Sequence, residues 1–507
     1  MTKTKRVPLA VLILCVCSAV ALNAEVKLPA LIGDHMVVQQ GMPVRIWGQA
    51  EAGETVTVVS RGQKVSATAD ATGKWAVFLK PLEAGGPEQM TIAGKNKIVL
   101  SDVLVGEVWV ASGQSNMQMA VKSANNAEQE IAAANYPAIR LFEVKRAVAD
   151  APAEDVSGSW QVCSPETVAG TSAAGYFFAR HIHGARRVPV GLIHSSWGGT
   201  PVQSWTSRPA LDAEPALKFI SDDWDKILAA YPAAREKFEK QMAEWKQKAA
   251  AAKQEGQAAP APPRPPAGPG HQNTPASLYN AMIAPLTPYA IRGAIWYQGE
   301  SNATPTHAFP YRRLFRLMIE DWRRAWNQGS FPFLFVQLAN FKSSGNWPVL
   351  RESQTEALAL RNTGMAVIID IGESKDIHPK NKQDVGLRLG LAARAVAYGE
   401  DIVYSGPLFR QLTTEGSRLR VWFDHVGGGL LTRGSSKLAG FTIAGKDLDF
   451  AAAQATIEGD TVVVSSPGVK APVAVRYAWE DDPGAANLIN KTGLPASPFR
   501  AGEPIKP

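Results

Sequence analysis

The stretch VWVASGQSNM, residues 108–117, decides the fold of the middle of this chain. The apolar run at residues 103–110 predicts a buried strand, and Ser112-Gly113 is a turn signal. Residues 118–124 then suit a helix, so Ser115 stands where a strand passes into a helix. Open α/β sheets place their ligands beyond the carboxyl ends of their strands. The N–H groups of a helix start also point at such a ligand.

Ser115 has two interpretations at this position. It can be a nucleophile, whose hydroxyl is exposed at the edge of the sheet, or an ordinary helix N-cap, a position that Ser favours. The geometry is similar to a hydrolase nucleophile elbow, but Met117 occupies the place of the second Gly of Gly-x-Ser-x-Gly. The position alone leaves both interpretations open.

The rest of the chain divides into regions of different pattern. Short alternating strands in residues 25–102 and again in residues 401–507 predict two β-sandwich regions. Residues 103–400 alternate strands with helices, the pattern of an α/β domain. Within that domain, residues 213–275 form an insertion, first rich in Ala, Lys, Glu and Gln and then rich in Pro. Such a composition predicts exposed helix followed by a stiff, unpacked excursion.

The amino terminus and the composition restrict the class of protein. Lys3, Lys5 and Arg6 precede an apolar run at residues 8–22, so residues 1–24 are predicted to be a signal peptide for secretion or export to a periplasm. No later apolar segment suggests a membrane span after cleavage. The mature chain would keep only Cys163, which excludes an internal disulfide. A net charge of +7 without a basic stripe argues against nucleic-acid binding.

Polar residues collect at the predicted ends of four strands. They are Ser115, the pair Gly198-Gly199, Gln298 with Asn302, and Asp376 with His378. A Ser nucleophile needs a base within hydrogen-bonding reach, and the base needs an acid that orients it. Of the eight His residues, His378 is the one that follows an acid in a polar loop after a strand. No set of His, Cys and acidic residues has metal-ligand spacing, so neither metal nor cofactor is expected.

Three segments resemble the signature blocks of a known enzyme family. GQSNM (113–117), WYQGESN (296–302) and DIHPKNK (376–382) are similar to blocks of the sialate O-acetylesterase family, within the SGNH (GDSL-like) hydrolase superfamily. The resemblance covers most of the mature chain except the insertion. It implies a three-layer α/β/α fold with a mostly parallel sheet, flanked here by the two β-sandwich regions.

The resemblance also implies a role for each matching residue. Ser115 would be the nucleophile, His378 the general base and then acid, and Asp376 the acid that orients His378. The oxyanion hole would use the N–H groups of Ser115 and Gly199 (or Gly198) and the side-chain amide of Gln298. Contacts to substrate are expected from three further residues: Glu300, Asn302 and Arg351.

One departure leaves the acid open. Much of the superfamily spaces acid and base as Asp-x-x-His, whereas Lys375 stands three residues before His378 here. Asp376, Glu373 and Asp370 therefore all remain candidates for the acid.

The expected activity is that of a secreted serine esterase that removes O-acetyl groups from sialic acid. An acetylated plant polysaccharide such as xylan is an alternative substrate. A carbohydrate-binding protein with an idle α/β domain is the rival hypothesis, prompted by the two β regions and their aromatic residues. The sequence sets neither the acetyl position nor the oligomeric state.

Overall fold

The structure, a computed structural model, describes residues 25–504, so the predicted signal peptide lies outside the described residues. The N-terminal strands are β1 (Val37–Gln39), β2 (Val44–Gln49), β3 (Thr55–Ser60), β4 (Gln63–Thr68), β5 (Lys74–Leu79) and β6 (Gly85–Ala93), and the long strand β7 (Lys97–Gly113) follows them. β2 pairs with β5, and β3 pairs with β4 and β6. The sequence pattern does not predict β4, because half of its side chains are exposed and none is buried.

The elements of the central region follow in chain order. They are α1 (Ser115–Gln118), α2 (Ala127–Ala132), β8 (Tyr136–Glu143), β9 (Trp160–Cys163), α3 (Pro165–Val168), α4 (Ala173–Arg186), β10 (Val190–Ser196), α5 (Arg208–Asp212), α6 (Lys218–Gln254), β11 (Gly293–Tyr297), α7 (Tyr311–Trp326), β12 (Phe333–Val336), α8 (Trp347–Thr355), β13 (Thr363–Ala366) and α9 (Lys382–Val396). The central strands are ordered β13-β12-β11-β7-β10-β8-β9. All neighbours in this order are parallel except β8 and β9.

Strand β7 belongs to two sheets. Its first part pairs antiparallel with β6 and parallel with β1. From Glu107 to Gly113 it pairs parallel with β10, and from Trp109 to Gly113 also with β11. The strand that leads to Ser115 therefore also holds the N-terminal strands, and the division of the chain near residue 102 stays a prediction.

Helices cover both faces of the central sheet. Trp109 packs edge-on against Phe178 of α4, with ring centres 4.9 Å apart. Trp296 packs against Phe315 and Trp322 of α7. Trp296 is paired with Ser112, an odd number of residues from Trp109, so the two Trp side chains point to opposite faces. The predicted α/β class with a mostly parallel, three-layer arrangement is confirmed.

One local prediction in the central region is wrong in its bounds. The helix expected at residues 118–124 is instead the short α1 and a 3₁₀ turn at Val121–Ser123. The last strand of the central sheet, β13, ends at Ala366, and a loop follows it. The apolar residues of α7 recur at helical spacing on its buried face.

The insertion forms one exposed helix and a segment that returns along it. Only Ile220 of α6 is buried, as its polar composition predicts. The Pro-rich segment is not unpacked, because Trp245 Nε1 donates a hydrogen bond of 2.7 Å to the carbonyl of Pro260. Gly268 lies against the ring of Tyr231, where a larger residue would collide. The insertion is therefore a two-segment arm that packs on itself.

The C-terminal strands are all antiparallel. They are β14 (Leu408–Glu415), β15 (Arg418–Asp424), β16 (Leu430–Thr432), β17 (Phe441–Ala444), β18 (Ala451–Ala452), β19 (Gln454–Glu458), β20 (Thr461–Ser465), β21 (Ala474–Tyr477), β22 (Leu488–Asn490) and β23 (Phe499–Ala501). Two four-stranded sheets, β14-β15-β20-β19 and β18-β17-β21-β23, contact each other through aromatic rings. Phe499 of one sheet packs on Phe409 and Phe423 of the other. Across residues 25–504, no helix is long and apolar enough to cross a membrane.

Candidate active site

Ser115 lies at the turn between β7 and α1. Gly113 has a φ of +138°, and a Cβ there would collide with the carbonyl oxygen of Tyr297, so only glycine fits the end of the strand. The N–H of Gln114 donates a hydrogen bond of 3.0 Å to the same carbonyl. Ser115 is the first residue of α1, and Gln114, not Ser115, is the N-cap. The structure therefore does not use the Ser115 hydroxyl as a helix cap.

His378 reaches Ser115 from the loop between β13 and α9. Its Nε2 lies 2.8 Å from the Oγ of Ser115. Its Nδ1 lies 3.5 Å from Oδ1 of Asp376, and the same carboxylate oxygen accepts a hydrogen bond of 2.9 Å from the His378 N–H. Both side chains are less than half exposed, at 41% for His378 and 45% for Asp376. The arrangement brings together the three residues of the expected nucleophile, base and acid.

The other two acids are occupied elsewhere. Asp370 is buried and binds Arg388 at 2.5 and 2.7 Å and Arg433 at 2.5 Å. These guanidinium groups hold the pKa of Asp370 below its ordinary value although burial opposes them. Glu373 accepts a hydrogen bond of 3.2 Å from the N–H of Lys380. Asp376 is the one of the three that contacts His378.

Two backbone N–H groups near Ser115 suit an oxyanion hole. Within residues 25–504, the N–H groups of Ser115 and Gly199 make no hydrogen bond. Gly198 lies against Ser115, with its N–H donating 2.7 Å to Oε1 of Gln118. Gly199, the next residue, has a φ of +75°. Of the two glycines, Gly199 therefore has the available donor.

Gln298 does not have the free amide that the resemblance implies. Its side chain is fully buried, and Nε2 donates to the carbonyl of Thr200 at 3.2 Å and to Oδ1 of Asn302 at 2.7 Å. The hydroxyl of Tyr311 donates 2.9 Å to its Oε1 and so fixes the orientation of the amide. Gln298 thus stabilises the Gly199-Thr200 turn. Its amide is not available as the expected third donor of the oxyanion hole.

Of the three expected substrate contacts, Asn302 and Arg351 are buried and Glu300 is partly buried. Asn302 is buried, with Oδ1 accepting from Val202 N–H at 2.9 Å and Nδ2 donating to Gln203 at 3.0 Å. Glu300 accepts a hydrogen bond of 2.6 Å from Asn116, and burial raises its pKa. The polar atoms of Asn302 are therefore engaged within the protein, whereas Glu300 Oε2 is buried and has no partner among the described residues.

Arg351 is the clearest correction among them. It is fully buried and donates to four backbone carbonyls, at Leu338, Ala339, Glu480 and Asp481. Burial lowers its pKa to about 9. Its guanidinium joins the central domain to the C-terminal region and cannot contact a substrate.

Apart from Ser115 and His378, the cleft at Ser115 is formed by residues that the sequence motifs do not include. It has a volume of about 480 Å³ and is lined by Ser115, Gln118, Met119, Ala120, Lys122, Ser123, Glu143, Arg146, Gly170 and His378. Glu143 is held by its Oε2, which lies 2.6 Å from Nδ1 of buried His194. The Nε2 of His194 lies 2.6 Å from Ser196 Oγ. The Arg146 guanidinium lies 5.8 Å from the centre of the Trp197 ring. Glu143 is the last residue of β8 and Arg146 follows it, so both lie at the end of a strand that pairs parallel with β10.

The described residues contain no metal centre. No group of three or more His, Cys, Asp or Glu side chains in residues 25–504 is arranged to hold a metal ion. The single described cysteine, Cys163, is buried, and burial raises the pKa of its thiol to about 12. A thiolate nucleophile at that position is therefore unfavourable.

Comparison with known proteins identifies relatives over most of the chain. A family model described as a carbohydrate esterase, sialic acid-specific acetylesterase (SASA), matches residues 105–255 and 269–396. Sialate O-acetylesterase of Rattus norvegicus is 32% identical over 466 residues, which cover 80% of each chain. The Homo sapiens sialate O-acetylesterase is 33% identical over 425 residues, covering 75% of this chain and 73% of the relative.

A solved structure extends the similarity to nearly the whole chain. It is the crystal structure of a carbohydrate acetylesterase from Xanthomonas citri, 39% identical, with a TM-score of 0.80. The match covers 94% of this chain and 99% of that chain. The similarity therefore includes the N-terminal and C-terminal β regions as well as the central sheet.

Proposed function

Because the chain belongs to the SASA family of carbohydrate esterases and is a carboxylic ester hydrolase, we propose that it removes O-acetyl groups from sialic acid through a serine acyl-enzyme. The observation that carries the serine mechanism is the 2.8 Å distance from His378 Nε2 to Ser115 Oγ. A neutral imidazole at this distance accepts the hydroxyl proton as the oxygen attacks.

The reaction proceeds in two halves. Ser115 Oγ attacks the acetyl carbonyl carbon while His378 Nε2 takes its proton, and the oxyanion that forms is bound by the N–H groups of Ser115 and Gly199. His378 then returns the proton to the leaving sugar oxygen as the ester bond breaks. Water, deprotonated by His378, attacks the acetyl-Ser115 ester, and acetate leaves as Ser115 recovers its proton. Asp376 orients the imidazole and stabilises its charged form.

The charges of the cleft support an acidic sugar as substrate. Lys122 and Arg146 are exposed side chains that line the cleft together with Ser115. A cation near the reacting ester suits the carboxylate of a sialic acid, since charge-assisted hydrogen bonds are the stronger ones. Glu143, fixed by His194, is an acceptor for sugar hydroxyl groups. These residues take the place of Arg351 in the recognition of substrate.

We also propose that the protein acts outside the cytoplasm, secreted or in a periplasm. The positive residues Lys3, Lys5 and Arg6 followed by the apolar run at residues 8–22 support this. Amino-terminal sequencing of the protein recovered from the exported fraction tests the proposal. A start near residue 25 is expected, and recovery of the intact chain in the cytoplasm would contradict it.

The deciding experiment measures acetate release by the purified chain lacking residues 1–24. O-acetylated sialic acid and acetylated xylan are compared, with Ser115→Ala as the control. Release from sialic acid that Ser115→Ala abolishes supports the proposal. Acetate release from xylan alone is consistent with the serine mechanism and refutes O-acetylated sialic acid as the substrate. Release that persists in Ser115→Ala overturns the mechanism, and glycan binding without release favours a binding protein.

A further inference from the structure

A lysine that the esterase mechanism does not use is buried next to the two reacting side chains. Lys382, the first residue of α9, has no exposed surface. Its Nζ donates hydrogen bonds of 2.7 Å to Oδ1 of Asn116 and 2.6 Å to the carbonyl of Pro379. Asn116 directly follows Ser115, and Pro379 directly follows His378. One ammonium group therefore contacts the neighbours of both the nucleophile and the base.

This position is unfavourable for a cation by itself. Burial disfavours the charged form and lowers the pKa of Lys382 to about 7. The start of a helix carries partial positive charge, which repels an ammonium group further. Neither hydrogen-bond partner of Nζ in the described residues is a carboxylate. A buried charge kept at such a cost, beside reacting groups, indicates a functional role.

Asn116 links the lysine to an acid. Its Oδ1 accepts from Lys382, while its Nδ2 donates 2.6 Å to Oε1 of Glu300 and 2.9 Å to the carbonyl of Ile377. The amide is therefore oriented between an ammonium group and a carboxylate, which strengthens both hydrogen bonds. Glu300 Oε2 is buried and has no partner among the described residues, so Asn116 is its link to the opposite charge.

The carbonyl groups on both sides of His378 belong to the same network. Ile377 precedes His378 and accepts from Asn116, and Pro379 follows His378 and accepts from Lys382. The ring of Tyr297, whose carbonyl binds the N–H of Gln114, lies 5.3 Å from Lys382 Nζ. The loop of His378 is thus tied at two points to the turn of Ser115.

We propose that Lys382, Asn116 and Glu300 form a positioning network that holds the His378 imidazole at hydrogen-bonding distance from Ser115. The proposal rests on the serine mechanism given above. The network touches neither substrate nor the reacting atoms, and it acts through the backbone on either side of His378.

The test separates positioning from stability by using two buried cations of one helix. Lys382→Met removes the ammonium group of the network, and Arg388→Met removes the cation that binds Asp370 from the same helix. Both substitutions are expected to lower the melting temperature. For each variant, kcat and KM for a small acetyl ester are measured per folded protein, with folding followed by near-ultraviolet circular dichroism.

The positioning role predicts a split between kcat and KM. Lys382→Met is expected to lower kcat about 100-fold, as for a misplacement of about 1 Å, with KM within about threefold. Arg388→Met is expected to keep kcat within about threefold. Glu300→Gln, which keeps the shape and loses the charge, should lower kcat in the same direction. The double variant Lys382→Met/Glu300→Gln should lose little more than Lys382→Met, because residues that act as a unit are not additive.

Several results would overturn the network. The first is a kcat of Lys382→Met within threefold of the wild type. The second is a kcat of Arg388→Met that falls as far as that of Lys382→Met. The third is a kcat of the double variant that falls by the product of the two single losses. If Lys382→Met does not fold, Glu300→Gln compared with Arg388→Met decides the question. Ser115→Ala tests the serine mechanism separately from the positioning network. Activity that persists in Ser115→Ala would refute the serine mechanism, whatever the kcat of Lys382→Met.

Discussion

His378 Nε2 lies 2.8 Å from Ser115 Oγ, although the two residues are 263 positions apart in the chain. Ser115 follows β7 directly, and His378 lies in the loop after β13, three strands away in the same parallel part of the sheet. Parallel strands bring their carboxyl ends to one edge, so residues from distant strands meet there. The active site is a product of this topology.

The assignment of the acid can be tested by three isosteric substitutions. Asp376→Asn should lower kcat about 100-fold or more, because the imidazole loses its orienting charge. Glu373→Gln should stay within about threefold of the wild type. Asp370→Asn should instead lower the free energy of unfolding by about 3–5 kcal/mol, since it leaves buried Arg388 unpaired. Kinetics and urea unfolding of the three variants check this, and a large kcat loss confined to Glu373→Gln would reverse the assignment.

Arg351 should behave as a structural residue. Arg351→Ala leaves four backbone carbonyls without their donors and creates a cavity, so the free energy of unfolding should fall by at least about 3 kcal/mol. The KM of the folded protein should not change. Arg313→Ala, which breaks an exposed ion pair with Glu214, is the control and should cost less than about 1 kcal/mol. A raised KM with unchanged stability in Arg351→Ala would restore a role in substrate binding.

The cleft cations should affect charged substrate selectively. Arg146→Ala and Lys122→Ala should each raise the KM for O-acetylated sialic acid about tenfold, the effect of losing one charge-assisted hydrogen bond. The rate with the neutral ester p-nitrophenyl acetate should stay within about twofold. Lys145→Ala, an exposed neighbour that does not line the cleft, is the matched control. Equal effects on both esters would speak against recognition of a carboxylate.

The lowered pKa of Lys382 predicts that the free energy of unfolding depends on pH. Its value of about 7 in the folded chain lies below the ordinary 10.5, so the unfolded chain binds more protons between these values. The free energy of unfolding therefore rises with pH in this window, by at most about 1.4 kcal/mol per pH unit. Lys382→Met removes this contribution. Urea unfolding of both proteins from pH 6 to 10 measures the difference, and parallel curves would contradict the assigned pKa direction.

For Glu300, the opposite dependence of stability on pH is expected. Burial raises its pKa above the ordinary 4.5, so the folded chain binds more protons just above that value. The stability from this group is present below pH 4.5 and is lost as the pH rises through the folded pKa. Glu300→Gln should flatten that decline. Thermal unfolding of wild type and Glu300→Gln across the acidic range measures it, and a steeper decline in the variant would refute the direction.

The sequence was sufficient for the parts of the site that are local. Ser115 and the Asp376-His378 pair stand in short motifs whose chemistry is readable from residue type and spacing. Gln298 and Asn302 stand in such a motif too, yet their amides bind each other and the backbone. Spacing shows that a polar side chain lies at the edge of the sheet, but it does not show which neighbour satisfies that side chain.

Residues recruited from outside the motifs could not be predicted in the same way. Glu143 and Arg146 enter the cleft because β8 lies two strands from β7, with β10 between them, an order fixed by long-range pairing. Lys382 could be seen as part of a motif, but its burial depends on α9 packing over the loop. Both facts depend on contacts between distant segments, which periodicity does not encode.

The pairing of β7 in two sheets has a consequence for how the protein unfolds. The N-terminal strands β1 and β6 and the central strands β10 and β11 all take hydrogen bonds from one continuous backbone. Melting the N-terminal strands would bare the edges of the first part of β7, residues 97–106. Amide hydrogen exchange should therefore show β1, β6 and this part of β7 opening together, and a chain shortened to begin at residue 103 should aggregate through an uncovered strand edge.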